Sequence, residues 1–334
     1  MVKKLIGLAV LFVFVLLAAG GCGGGGAKQG EQASQAPAAK KKELLFATGG
    51  TAGTYYPLGG AMAQIWNEKV PGVHVTVQST GASVENIRLL NNGQADLGLA
   101  MNNVADDAYN GRGEFKDKPV KNFKAVGVVY PEVVQAFVAA DSNIKTIADL
   151  KGKKVAVGPT GSGTEYTTRK ILEAYGVTYK DITPIYATFA DAVDQFKDKH
   201  IDAAFNVLTA PAASIQDVAT MRKIRFLEIT GTEAAKIVEQ IPFFSAYEIP
   251  ANSYPGQDQP VKTLTLSANL YVRADLDDET VYNLCKVMYE NKDDIAKNNV
   301  TAKHLNLQRA LSGVTTPVHP GAEKYYKEKG ISKS

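Results

Sequence analysis

The sequence predicts an α/β protein of two lobes with similar topology and one cleft between them. A glycine–threonine segment at residues 48–57 follows a short apolar run and precedes a helical pattern, and residues 158–164 repeat that arrangement. Further along, each segment is followed by an aspartate and a buried strand, at Asp96 and at Asp202. Strands that alternate with helices in this way are typical of α/β domains. We therefore expect each lobe to offer one glycine–threonine loop to the shared cleft.

Residues 1–22 are typical of a targeting segment. Two lysines precede an apolar stretch, residues 5–17, that is shorter than a membrane-spanning helix requires. Small residues before Cys22 resemble a bacterial lipoprotein signal, which predicts cleavage before Cys22 and lipid attachment to it, although Ala19 replaces the usual leucine. Several acyl chains would anchor the protein at the outer face of the cytoplasmic membrane or in the periplasm, because each buried CH₂ contributes ~0.8 kcal/mol. An ordinary secretory signal cut nearby is the alternative.

The rest of the chain divides into a tether and two lobes. Residues 23–42 are dominated by Gly, Ala, Gln, Ser, Pro and Lys, which predicts a flexible tether. A coil of that length reaches about 25 Å on average. We assign residues 43–132 and 274–334 to lobe 1, and residues 133–273, including the hinge strands, to lobe 2. The body retains a single cysteine, Cys285, which lies on the apolar face of a predicted helix and is expected to be buried.

The elements of lobe 1 follow from the spacing of apolar residues. Residues 73–77 alternate like a strand, and a hydroxyl-rich segment then leads to a helix that opens near Ser83. Residues 95–101 form a buried strand, and Asn102 follows at its carboxyl end. Ligands bind at the carboxyl ends of strands in open α/β sheets, but an ordinary turn explains Asn102 equally well.

Lobe 2 is entered and left through apolar strands. Residues 126–140 are apolar but interrupted by Tyr130-Pro131, which predicts a pair of strands. Residues 263–273 alternate, and we expect them to lie beside the second of these strands as a two-stranded hinge. In lobe 2, a strand ends at Asn206, and Thr209-Ala210-Pro211 is expected to open another helix. Asn206 and Thr209 thus occupy the place of Asn102 in lobe 1. The C-terminal helices are expected to pack on lobe 1.

The loops supply groups that bind anions. Glycine lets the backbone approach a ligand closely. Free N–H groups and hydroxyls at a helix start hold a carboxylate or a phosphate. A tight turn without a ligand is the alternative for one such loop alone. The candidate ligand-binding residues are Gly50, Thr51, Thr54, Tyr55, Ser79, Thr80, Ser83, Asn102, Ser162, Gly163, Thr164, Asn206 and Thr209.

Several classes of function are disfavoured. A nucleotide-hydrolysing phosphate loop ends in Gly-Lys-Ser/Thr, whereas Gly163 is followed by Thr164. The four histidines are scattered without metal-ligand spacing, and no nucleophile elbow is present, so we expect neither a metal, nor a cofactor, nor an enzyme. Without the targeting segment, 35 basic and 34 acidic residues remain. This balance offers no basic field for nucleic acid.

Four segments carry a resemblance to a known family: residues 48–60, 79–86, 161–164 and 249–257. Together they resemble the TAXI-type solute receptors of tripartite ATP-independent periplasmic (TRAP) transporters. The resemblance spans residues 43–331 and implies a type II periplasmic-binding-protein fold that closes on a small solute. It also implies delivery to a TRAP membrane permease driven by an ion gradient. Family members with a known ligand suggest glutamate, glutamine or a related carboxylate, bound by what we expect to be a monomer.

The expected binding of the acid group differs from that in a better-known branch of these receptors. The dicarboxylate branch resembles a design in which an arginine clamps the acid group. Here Arg88 and Arg169 lie along helices, so we expect helix-start N–H groups and hydroxyls to hold the acid group.

Two other functions remain as alternatives. Within the same fold, the chain could be a receptor for an ATP-driven importer or a sensor kinase. An extracytoplasmic acyl or phosphoryl transferase is a third hypothesis.

Overall fold

A sheet of ten strands organises the part of the chain that the computed structural model describes, residues 41–332. Along the chain the strands are β1 (Lys42–Ala47), β2 (Val73–Gln78), β3 (Leu97–Met101), β4 (Phe123–Ala139), β5 (Lys154–Ala156), β6 (Thr183–Ile185), β7 (Ala203–Leu208), β8 (Ile224–Leu227), β9 (Ser245–Ile249) and β10 (Val261–Arg273). Across the sheet the order is β2-β1-β3-β10-β4-β7-β5-β6, and β8 also pairs with β4 while β9 pairs with β10. The predicted signal segment, Cys22 and residues 23–40 of the tether lie outside the described residues.

Ten α-helices join these strands within residues 41–332. They are α1 (Tyr55–Lys69), α2 (Ser83–Asn91), α3 (Asn102–Asn110), α4 (Gly163–Ala174), α5 (Phe189–Lys197), α6 (Ala213–Met221), α7 (Gly231–Gln240), α8 (Asp278–Glu290), α9 (Lys292–Asn298) and α10 (Pro320–Glu328). The helices bury one face, as α5 does with Ala192, Val193 and Phe196. Among the helices of this part of the chain, none has the length and apolar character needed to cross a membrane.

The sheet contains two copies of one topology, which confirms the predicted α/β class. In the first half, β1 pairs in parallel with β2 and β3, and in the second half β5 pairs in parallel with β6 and β7. The two aspartates have the same role: Asp96 accepts from the Leu45 amide and Asp202 from the Lys154 amide, each at 2.8 Å. Each carboxylate therefore ties the start of the third strand to the first. Here the first half means β1–β3 with α1–α3 and α8–α10, and the second half means β5–β9 with α4–α7.

Two long strands connect the halves. β10 pairs antiparallel with β3 and with β4, and β4 also pairs with β7. The predicted pairing partner was largely wrong: β10 pairs with residues 123–133 of β4, and only Thr265 lies opposite a residue of the expected segment, Val133. The rest of that segment pairs with β7 and β8. The predicted interruption at Tyr130-Pro131 was wrong, because β4 continues through it and a register shift between Ala268 and Asn269 of β10 accommodates it. The boundary between the lobes at residue 132 stays a prediction.

The C-terminal helices pack on the first half, as expected. The fully buried Trp66 of α1 donates from Nε1 to the Leu284 carbonyl of α8 at 3.0 Å. Cys285 is buried in the same core, as predicted, and Tyr326 of α10 donates to the Val126 carbonyl at 2.5 Å. Apolar burial of this kind is the main stabilising contribution to folding. These contacts fix α1, and with it the loop that precedes α1.

Candidate functional site

The carboxyl ends of all six parallel strands face one cleft. The first glycine loop (residues 48–57) follows β1, the serine loop (residues 79–83) follows β2, and the second glycine loop (residues 158–164) follows β5. Thr188 and Phe189 after β6 complete the wall, and the cleft encloses about 380 Å³. This is the place where open α/β sheets bind ligands, and the volume is in the range of small-molecule sites.

Most of the predicted site residues lie together in this cleft. Three do not line it, and they are described below. The ten that do are Gly50, Thr51, Thr54, Tyr55, Ser79, Thr80, Ser83, Ser162, Gly163 and Thr164. Their contact with a ligand stays a prediction.

Asn102, Asn206 and Thr209 are placed differently from the sequence prediction. Asn102 begins α3 and lines a neighbouring cavity. Asn206 lies inside β7, opposite Gln135 of β4, because the strand continues to Leu208 instead of ending at Asn206. Thr209 follows that strand, and its amide donates to the Thr54 hydroxyl at 3.4 Å, so it supports the first glycine loop from outside the cleft lining.

The hydroxyls of the serine loop are mainly engaged with the protein itself. Ser79 donates to the Gly49 carbonyl at 3.0 Å, which ties the serine loop to the first glycine loop. Thr80 accepts from the Ala82 amide at 3.0 Å, and Ser83 accepts from the Met101 amide at 3.1 Å. These bonds fix the loop shape, so the serine loop contributes rigidity in addition to any ligand contact.

The helix starts differ in how many N–H groups remain for a ligand. The first N–H groups of a helix have no intrahelical acceptor. At α2, the Val84 and Glu85 amides donate to the Gly161 carbonyl at 3.2 and 3.4 Å, so the second glycine loop occupies that start. At α4, Ser162 accepts from the Glu165 amide, which leaves the amides of Gly163 and Thr164 toward the cleft.

Further contacts join the two halves beside the cleft. Tyr166 of α4 donates a short hydrogen bond to Asp107 of α3, and Asn103 donates to Thr167 at 3.3 Å. Arg169 pairs with Glu114 at 2.5 Å. Neither Arg169 nor Arg88, which lies over the Phe115 ring, lines the cleft. The structure is therefore that of a form in which the halves touch, and the arginines serve other contacts.

Glu132 of β4 is a cleft residue that was not predicted from the sequence. This residue lines the cleft although it is only 1% exposed, and its Oε1 accepts from the Tyr130 hydroxyl at 3.1 Å. Burial raises the pKa of Glu132 to about 8, although the hydroxyls of Tyr55 and Tyr130 oppose the rise. A signal was available, because Glu132 is the one charged residue in the apolar run 126–140.

The residues around the cleft carry no positive side chain. No lysine, arginine or histidine is among those that line it within the described range. Clusters of three or more His, Cys, Asp or Glu side chains with metal-binding geometry are also absent from residues 41–332. Backbone N–H groups and hydroxyls are thus the donors that the cleft offers.

Two α/β halves joined by two long strands around one cleft form the fold of the periplasmic binding proteins. The chain belongs to the NMT1-like family, whose sequence profile matches residues 46–330. Neither this family description nor the relatives below name a TRAP receptor.

One curated relative and two solved structures illustrate the similarity. The relative, an Escherichia coli (strain K12) protein provisionally described as an aliphatic sulfonates-binding protein, is 41% identical over 73 residues, 22% of this chain. The match spans 23% of that relative. A Bordetella bronchiseptica RB50 structure matches with TM-score 0.52 and 18% identity, covering 86% of this chain and 89% of its own. A Listeria monocytogenes protein, provisionally described as an L-cystine ABC transporter, matches with TM-score 0.50 and 15% identity, covering 80% and 98%. At these identities the structural likeness concerns the fold.

Proposed function

We propose that this protein is an extracytoplasmic solute-binding protein that captures a small anionic solute between its halves. The observation that carries the proposal is the meeting of two helix starts, α1 from the first half and α4 from the second, at one cleft. Helix N-termini favour anions through free N–H groups and the helix dipole. We expect a carboxylate such as glutamate or glutamine, or a sulfonate, as the solute.

Several hydrogen bonds to one acid group give enough affinity for a receptor. A hydrogen bond to a charged group contributes about 1.5–3 kcal/mol. Three or four such bonds support micromolar binding after the cost of ordering the solute and the loops. We expect the acid group of the solute to accept hydrogen bonds from the amides of Gly163 and Thr164 and from the hydroxyls of Thr51 and Thr54.

The membrane partner that we propose is an ATP-driven importer. The relatives described as a sulfonates-binding protein and as part of an ABC transporter support this choice. A TRAP permease is the second candidate, supported by the motif resemblance in the first glycine loop and in residues 249–257. We also propose a lipid anchor on Cys22, which would hold a monomeric receptor near either membrane partner. A sensor kinase that recognises the solute-bound, closed receptor is a further candidate partner.

Calorimetric titration of the full-length chain tests the binding function. Glutamate, glutamine, alanine, taurine and their hydroxy-acid counterparts form the panel, and we expect micromolar binding of at least one. Ser162→Ala weakens that affinity in a receptor, whereas in a transferase that uses this hydroxyl it abolishes turnover. Absence of binding below the millimolar range for every acid contradicts the proposal.

Uptake into reconstituted vesicles distinguishes the two partners. The receptor is added to vesicles that contain the permease encoded beside it, with labelled solute outside. If the partner is an ATP-driven importer, uptake of the labelled solute stops when ATP is omitted and continues when ion gradients are collapsed. If the partner is a TRAP permease, uptake continues without ATP and stops when the gradients are collapsed. Mass spectrometry of the N-terminal peptide tests the anchor, because an unmodified Cys22 rules it out.

A further inference from the structure

One part of the cleft wall is formed by three buried side chains that can each make polar contacts. Tyr55, Tyr130 and Glu132 are 6%, 1% and 1% exposed, and all three line the cleft. The two tyrosine rings meet edge to face, with centroids 6.1 Å apart. Tyr55 is also the first residue of α1, so this group adjoins a helix start and offers a solute a second kind of contact beside the amides.

The carboxyl of Glu132 is only half satisfied. Its Oε1 accepts from Tyr130 at 3.1 Å. The Tyr55 hydroxyl lies close enough to lower the pKa of Glu132, but neither it nor Glu132 Oε2 makes a hydrogen bond of normal geometry among the described residues. The backbone is firmly held, since the Glu132 carbonyl accepts from the Thr265 hydroxyl of β10 at 2.9 Å. Buried polar atoms are nearly always paired. Because Glu132 lines the cleft, this fixed and unpaired oxygen lies close to the solute's position, although it exposes less than 1 Å² itself.

The surroundings of Glu132 supply no positive charge. Tyr55 faces it from α1 and Tyr130 from β4, while β10 presents Leu266 opposite Glu132 and β7 presents Leu208 beside it. Burial raises the pKa of both tyrosines well above its usual value, so their hydroxyls stay neutral donors. A buried carboxylate needs a partner of opposite charge or takes up a proton. In the empty cleft the proton has that role.

We propose that Glu132 is a specificity-determining residue that binds a cationic nitrogen of the solute through Oε2, while the helix starts bind its acid group. The proposal rests on the proposed function and narrows it to zwitterions such as amino acids or aminosulfonates. When the ammonium group arrives, Glu132 releases its proton to solvent and the carboxylate pairs with the ammonium. The Tyr130 hydroxyl continues to donate to Oε1 and orients the carboxylate.

A solute with two acid groups and no cation fits this cleft less well. Its second carboxylate would lie against Glu132, where like charges repel or one group must stay protonated. A zwitterion brings one charge for each end: negative at the starts of α1 and α4, positive at Glu132. The tyrosine rings on the wall add attraction for a cation.

Titration with matched solute pairs tests the inference on the full-length chain. Each pair differs only in that a hydroxyl replaces the ammonium: glutamate with 2-hydroxyglutarate, alanine with lactate, and taurine with 2-hydroxyethanesulfonate. We expect the wild-type protein to prefer the ammonium member of the pair that it binds by about 10- to 100-fold, as for a lost buried charge pair. In Glu132→Gln the preference falls to about threefold or less, and Glu68→Gln, an exposed acid of α1, keeps the wild-type ratio.

A proton count gives a second readout. With a pKa of about 8, about nine-tenths of Glu132 is protonated at pH 7, so binding of an ammonium solute releases close to one proton. Heats measured in phosphate and in Tris report that number, and it falls toward zero in Glu132→Gln. By the same relation, apparent affinity is about eightfold tighter at pH 8.5 than at pH 7.

The outcomes separate this inference from the proposed function. Equal affinity for both members of a pair, or no proton release, overturns the role of Glu132 and leaves the receptor function intact. If no acid of any pair binds, the proposed function fails, and the role of Glu132 falls with it. Should Glu132→Gln not fold, the ratio and the proton release of the wild-type protein decide the question.

Discussion

The first and second glycine loops look alike in sequence but differ in structure. Gly158 and Gly161 of the second loop have φ values of +102° and +75°, a region that side chains rarely enter, while no glycine of the first loop has a positive φ. Ser162 caps α4 by accepting from Glu165, whereas Thr54 makes no capping hydrogen bond at α1. The second loop is thus built more tightly than the first.

This difference separates two roles. The second loop reaches the other half: a Cβ on Gly163 would lie 2.5 Å from Met101 Sδ and 2.6 Å from Ser83 Oγ. In the first loop Gly50 and Thr51 are exposed, and nothing lies within 4 Å of a Cβ on Gly50. We infer that the second loop sets how far the halves close and that the first adapts to the solute. The same residue types therefore serve different purposes.

The largest expected effect concerns the buried acid that both loops enclose. Glu132 titrates at about 8 in the folded protein and near 4.3 when unfolded, so stability falls by up to about 1.4 kcal/mol per pH unit between these values. Because glutamine does not titrate, Glu132→Gln lacks this pH-dependent loss. We expect the variant to be more stable than the wild-type protein at pH 8, but not at pH 4. Melting temperatures across pH 4 to 9, without solute, measure the difference. Glu68→Gln should follow the wild-type curve, and parallel curves for all three proteins would contradict the prediction.

The next effect tests whether the second loop sets closure. Gly163→Ala forces a methyl group against Met101 and Ser83, and overpacking of about 1–3 kcal/mol weakens solute affinity about 10- to 100-fold. Small-angle scattering should report a wider particle in the presence of solute. Gly60→Ala, with open space around its Cβ in α1, is the control. Wild-type affinity in Gly163→Ala would show that closure is set elsewhere.

The two glycine loops should differ in how much their helix-start hydroxyls contribute to the free energy of unfolding. Ser162→Ala removes the cap of α4 and should cost about 1 kcal/mol. Thr54→Val keeps the side-chain volume and removes a hydroxyl that caps no helix. Because this hydroxyl accepts only a long hydrogen bond from the Thr209 amide, at 3.4 Å, the loss should be smaller than for Ser162→Ala. Urea unfolding of both variants measures the two values. Equal losses would mean that the helix starts do not differ as described.

The smallest effect is expected in the serine loop. Ala82 has φ +76°, a strained value for a residue with a side chain. Ala82→Gly should therefore stabilise the protein by about 0.5 kcal/mol, after the greater chain entropy of glycine is subtracted. Ala52→Gly in the first glycine loop, where φ is ordinary, should be neutral or destabilising. A loss of stability in Ala82→Gly would argue that this backbone is not strained.

The fold could be predicted because its signals are local. Alternation in residues 73–77 and the apolar run before each glycine loop mark strands, since side chains alternate across a strand and a buried strand is apolar on both faces. Asp96 and Asp202 were visible as a repeat, and their equal bonds to Leu45 and Lys154 explain it. The interruption at Tyr130-Pro131 misled, because the compensating shift lies in β10, far away in sequence.

The sequence by itself determined the two α/β halves, their parallel strands and the loops that open toward the cleft, because periodicity and glycine patterns act over a few residues. Only the tertiary structure decided which groups are free. Gly161 covers the start of α2, β7 carries Asn206 away from the cleft, and Glu132 is buried beside Tyr55 with one oxygen unpaired. Pairing and desolvation depend on neighbours that are distant along the chain, so a local pattern does not contain them.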